Sequence, residues 1–171
     1  MNSTSRLAIL GLALSLSTLL LFSCEDPQPE VAEMVPVPDN EANCRNLMEW
    51  HLKALAEKNL AMLESTLSPD GEMQLILPSD EIAYGTEYFM EMHEQWFSDT
   101  TWSYSAEILS VTANDGLGFV TTEALYSEPL RDGVPYFNRL CVTYNLKLLN
   151  NTWYVILDHA SSIQKSTDIE E

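Results

Sequence analysis

Residues 150–162 read NNTWYVILDHASS. Two asparagines come first, and asparagine tolerates the left-handed backbone of a tight hairpin turn. The run after them is rich in aromatic and β-branched residues, which suits a strand. Side chains alternate along a regular strand. Trp153, Val155, Leu157 and His159 then share one face, and Tyr154, Ile156 and Asp158 share the other. On this reading Asp158 and His159 point apart and form no Asp–His relay. Both faces are apolar, so both need cover. Helices of the same chain cover one face, and a second subunit is the expected cover of the other.

The neighbouring segments extend the sheet. Asn138–Leu149 alternates, with Leu140, Val142, Tyr144, Leu146 and Leu148 on its apolar side. Leu117–Tyr126 and Trp102–Val111 are two further strands, joined through the Asn114-Asp115-Gly116 turn. Glu128–Gly133, with its proline and Asp-Gly, reads as a loop. Upstream, Leu47, Met48, His51, Leu52 and Leu55 recur at spacings of three and four, which predicts a helix over 41–57. Asp39 or Asn40 can cap its start. A second short helix follows over 60–67, capped by Asn59. Then come a turn at Ser68-Pro69-Asp70-Gly71, a short strand over 72–77 and a third helix over 86–97 behind Gly85. Helices gathered before an antiparallel meander make an α+β domain.

The amino terminus has a different character. Arg6 precedes an apolar run over 7–22 that stops at Cys24, the pattern of a secretory signal. Leu21-Phe22-Ser23-Cys24 resembles the lipobox of bacterial lipoproteins, which implies a diacylglycerol on the Cys24 sulfur and cleavage just before it. Residues 1–23 are then the leader. Residues 24–40, rich in proline and acids, are an extended tether. The domain occupies 41–163, and 164–171 is an acidic, disordered tail. Acids directly after the cysteine resemble export signals to the outer face of the outer membrane. The expected location is the bacterial cell envelope, lipid-anchored to a membrane, with the outer membrane, on its periplasmic or surface face, as the expected one.

Net charge is −18. Such a surface repels nucleic acid and anionic lipid headgroups, so neither is an expected partner. Cys44 and Cys141 remain in a compartment that permits disulfides; two separate buried thiols are expected over a bridge. There is no zinc spacing, phosphate loop or GxSxG elbow. No cofactor and no metal are expected.

Three stretches carry a resemblance. ALAEKNLAMLESTLSPDG (54–71) breaks and restarts a helix before an Asp-Gly turn. YGTEYFMEMHEQWF (84–97) leads into a helix from a glycine. NNTWYVILDHASS closes the sheet. In this order and spacing the chain resembles the SnoaL-like branch of the nuclear transport factor 2-like superfamily, from about Asn46 to Ser162. The resemblance implies a cone-shaped, cystatin-like curved sheet wrapped around three N-terminal helices, often dimeric through its outer face. It also implies that the Trp153/His159 face lines the concave pocket. Tyr104, Glu123, Tyr144 and His159 are then the pocket candidates, with His93 and Trp96 on the third helix closing it. Relatives include isomerases, dehydratases, cyclases and non-catalytic binding domains, so fold does not choose the activity. The first expectation is a small apolar ligand or a protein partner bound without catalysis. Acid–base lyase, isomerase or cyclase chemistry is the alternative, and a structural dimerisation module is the third reading.

Overall fold

The computed structural model describes residues 39–169. The leader, Cys24 and nearly all of the tether lie outside the described residues. Asp39 starts the first helix by accepting a hydrogen bond from the Ala42 amide at 2.9 Å, and α1 runs Asn40–Ala56. Lys58, with φ of 53°, breaks it. Asn59 then caps α2, Leu60–Glu64, through the Met62 amide. This helix is shorter than its sequence pattern. The Ser65 and Thr66 hydroxyls bond back to the carbonyls of Met62 and Leu63, a local alternative to continuing the helix. Helix α3, Thr86–Ser98, follows Gly85, whose φ of 95° suits glycine.

Six strands form one sheet in the order β2-β1-β6-β5-β4-β3. They are β1 Gln74–Ile76, β2 Ile82–Tyr84, β3 Ser103–Ala113, β4 Leu117–Arg131, β5 Val134–Leu149 and β6 Thr152–Lys165. The meander β3–β6 is antiparallel throughout. Strand β1 joins β6 in parallel, making the sheet mixed, and β2 is an edge strand that sequence reading missed.

Two boundaries move. The expected loop at 128–133 is hairpin: β4 and β5 run on to a two-residue turn at Asp132-Gly133, both with positive φ. The expected tail is ordered at its start, because β6 continues to Lys165 and a 3₁₀ turn follows at Ser166–Asp168.

Helix α1 fills the concave side. Cys44, Met48, His51, Leu52 and Leu55 are buried along it and form one core with Val120, Val142, Leu146, Trp153 and Val155 of the sheet. The helix comes very close at Gly118, where an added Cβ would lie 2.7 Å from the Cys44 sulfur. Phe89, His93 and Phe97 bury the inner side of α3. The thiols are not bridged: Cys44 is buried in the core and Cys141 is half-buried, both free. Among the described residues no helix is long and apolar enough to cross a membrane.

Candidate functional site

The site is made by β6, which is not a regular strand. Leu146 pairs with Val155, but the next residue of β5, Asn145, pairs with Leu157. One extra residue is therefore inserted in β6, a β-bulge that resets which way the side chains point. Val155 faces the core, and after the bulge so does Asp158, opposite Tyr144. A second bulge lies between Ser162 and Gln164, which pair with Leu140 and Arg139. Gln164 bonds to Arg139 on the outer face, and Lys165, opposite Asn138, turns to the inner face and lines the cavity.

The inner face encloses a cavity of about 750 Å³. Its interior wall carries Leu55, Leu75, Val142, Tyr104, Tyr144 and Asp158, with His93 and Trp96 from α3. Toward the hairpin and the end of β6 it is lined by Tyr126, Arg131, Tyr136, Asn138 and Lys165. Trp96 is held rigidly: it stacks on Trp102 with centroids 4.2 Å apart, and its carbonyl accepts from the Trp102 indole at 2.9 Å. Lys58 locks the far side of that stack, 3.9 Å above the Trp102 ring.

Asp158 is the unusual group. It is buried, and burial alone raises its carboxyl to about 7. The phenols of Tyr104 and Tyr144 stand close enough to be influenced by it; burial first, and then the Asp158 charge, push both further up. They therefore remain protonated donors. His93 is neutral, lowered to about 4 by burial. Its Nδ1–H donates to the Phe89 carbonyl at 2.8 Å, so Nε2 is left as an acceptor. His51 lies deeper, against the Tyr144 ring. The Thr66 hydroxyl spends its proton on Leu63, so His51 Nδ1 must donate to it at 2.7 Å. Burial lowers His51 to about 3, with a smaller contribution from His93.

Of the residues expected at the pocket, Tyr104, Tyr144, His93 and Trp96 line the cavity. His159 does not. It is exposed and pairs with Thr143 on the outer face, because the first bulge inverts the alternation from which its place was read. Glu123 is also outside, bonded to Arg139 at 2.7 Å; it is adjacent to Ala124 on β4, and Ala124 takes the inward position. Asp158, Tyr126, Asn138 and Lys165 were missed. Only Asp158 left a signal: it is the lone charge in an apolar run, where an acid is costly unless its place has a use. Among the described residues no three His, Cys, Asp or Glu side chains stand together as metal ligands.

A curved six-stranded sheet and three helices around an apolar cavity with one buried acid make this an α+β domain with an internal pocket. The profile of the family described as SnoaL-like domain matches residues 45–165, and the chain belongs to that family. No curated protein matches it in sequence. Among solved structures it is similar to a ketosteroid isomerase-like protein of Erwinia carotovora atroseptica, at 17% identity and TM-score 0.64, covering 75% of this chain and 99% of that one. It is also similar to a dehydratase candidate of the nuclear transport factor 2-like family from Streptomyces avermitilis, at 14% identity and TM-score 0.61, covering 72% and 96%. A Nostoc punctiforme domain of unknown function with a cystatin-like fold matches at 12% identity and TM-score 0.63, covering 78% and 83%. At these identities the likeness is one of fold.

Proposed function

We propose that the cavity binds a small, mostly apolar molecule carrying one hydrogen-bonding group, such as a carbonyl. The observation that carries this reading is the cavity itself, about 750 Å³ of mainly aromatic and aliphatic wall, with a few polar groups at its inner end and at its rim. That is the usual make-up of a small-molecule site. Filling it tests the reading. Ala160 lines the wall, and Ala160→Trp is expected to abolish the thermal stabilisation that cyclic ketones give the native protein. Equal stabilisation of both proteins would refute it.

A second reading rests on Asp158. A carboxyl near 7 is about half ionised at neutral pH, the poise of a general base. Beside it Tyr144 donates to Tyr104, and the protonated Tyr104 phenol can in turn donate to a carbonyl oxygen as charge develops there. Together these are the parts for moving a proton on the carbon next to a carbonyl, the chemistry of isomerases and dehydratases. Deuterium exchange at that carbon in heavy water, followed by NMR, is expected with the native protein and absent with Asp158→Asn.

For the whole protein we propose a lipid anchor at Cys24 in the cell envelope and a homodimer through the outer sheet face. Phe119 and Leu125 are exposed there, Leu157 and Ile163 add apolar surface, and the polar middle holds Thr121, Thr143 and His159. Metabolic incorporation of a palmitate analogue, lost in Cys24→Ala, tests the anchor.

A further inference from the structure

Among the described residues, the cavity mouth holds a cation with no carboxylate partner, in a chain where acids abound. There are 26 acids against 8 lysines and arginines. Lys53, Arg131, Arg139 and Lys147 each have a carboxylate within 4.0 Å. Lys58 is spent on the Trp102 ring and carbonyl. Arg45 and Lys165 have no carboxylate within that distance of their side chains among the described residues; Arg45 is exposed, whereas Lys165 is half-buried and lines the cavity, and the nearby Asp168 carboxylate is occupied by the Lys165 backbone amide at 2.7 Å.

Its position is built rather than incidental. Without the second bulge, regular alternation would put Gln164 inside and Lys165 on the outer face. The bulge does the reverse. It also leaves Ile163 half exposed, an unfavourable place for a large aliphatic side chain. Across the ladder, Asn138 lines the same stretch of wall, and its Oδ1 is buried without a partner. The other charged groups of the rim are committed. Arg131 is held by Glu128 and lies over Tyr136. Asp99 accepts from the Thr101 amide and hydroxyl at 2.8 and 2.7 Å.

We propose that the ligand is a hydrophobic anion, bound with its anionic head at the rim against Lys165 and its apolar body running inward to Asp158. This deepens the binding reading above and rests on it. The polarity follows from the two ends of the same strand. Lys165 attracts an anion where water still reaches it, so the head keeps much of its hydration. Asp158 refuses an anion at the buried end, because two carboxylates there would face each other without a cation. The two positions are seven residues apart, roughly 20 Å along a strand, so a ligand engaging both is elongated.

The test compares two fluorescent probes with one apolar body, 1-pyrenebutyrate and 1-pyrenebutanol. The native protein is expected to bind the acid about tenfold tighter than the alcohol, with salt weakening only the acid. Lys165→Met keeps the aliphatic stem and should erase that preference, bringing acid affinity to the level of the alcohol measured on the same variant. Lys165→Arg should restore it. Equal affinity of native protein for both probes, or a preference that survives in Lys165→Met, overturns the anion assignment and leaves the binding cavity standing. Binding of neither probe overturns both.

Discussion

A single carboxyl sets much of the pH behaviour expected of this fold. Asp158 ordinarily titrates near 3.8 and is raised to about 7 when buried. The folded state therefore holds its proton more tightly than the unfolded state does. The stabilisation is complete below about 4 and is lost as pH rises through 7, on the order of 4 kcal/mol in all. Asp158→Asn removes the penalty. Its stability advantage over the native protein is expected to be small at pH 4 and to grow up to pH 8, read by thermal unfolding in matched buffers. A pH-independent difference would contradict the buried, partnerless carboxyl. The buried histidines act in the opposite direction. His51 and His93 are lowered from 6.5 to about 3 and 4, so their contribution is present above 6.5 and is lost as pH falls through these values. Asp158→Asn should therefore keep only the limb that rises with pH.

At the scale of the element, the sequence was legible where local chemistry decides the backbone and illegible where a ladder slips. Asp39, Asn59 and Gly85 stand where caps and turns need them, and all three helices follow. The alternation in β5 placed Tyr144 correctly, since that strand is regular from Leu140 to Leu146 opposite β4. In β6 the same reasoning failed at Asp158 and His159. A bulge adds one residue without changing composition, so nothing in VILDH marks where alternation resets. Strand β2 was hidden for another reason: three residues at an exposed edge carry too little pattern to separate from a turn. The approach of α1 to β4 yields a direct test. Gly118→Ala puts a methyl into the Cys44 sulfur and should cost about 1–3 kcal/mol, measured by urea unfolding. Cys44→Ala creates a small cavity alone, but in combination it should recover part of the Gly118→Ala loss. Strict additivity of the two would show that the contact is not the cause.

Across the whole molecule, the outer face of the sheet leaves the large apolar side chains Phe119, Leu125 and Ile163 exposed among the described residues. If the proposed dimer forms there, Phe119→Lys should shift the sedimentation mass of the lipid-free domain from dimer to monomer. It should leave probe binding in the cavity intact, since Phe119 lies on the opposite face from Val120. A native domain that sediments as a monomer would remove the dimer.

The stacked pair of Trp96 and Trp102 has an optical consequence. Two indoles with centroids 4.2 Å apart and planes 12° apart couple their electronic transitions, and such coupling splits a circular-dichroism band into a signed couplet. One member of the pair lines the cavity while the other is clamped by Lys58. Any guest that slides against Trp96 alters one oscillator and spares its neighbour. The protein thus carries an internal gauge of its own occupancy, readable without a label and before the guest is identified. Titration with 1-pyrenebutanol is expected to distort the couplet in the native protein and to leave no couplet to distort in Trp102→Phe.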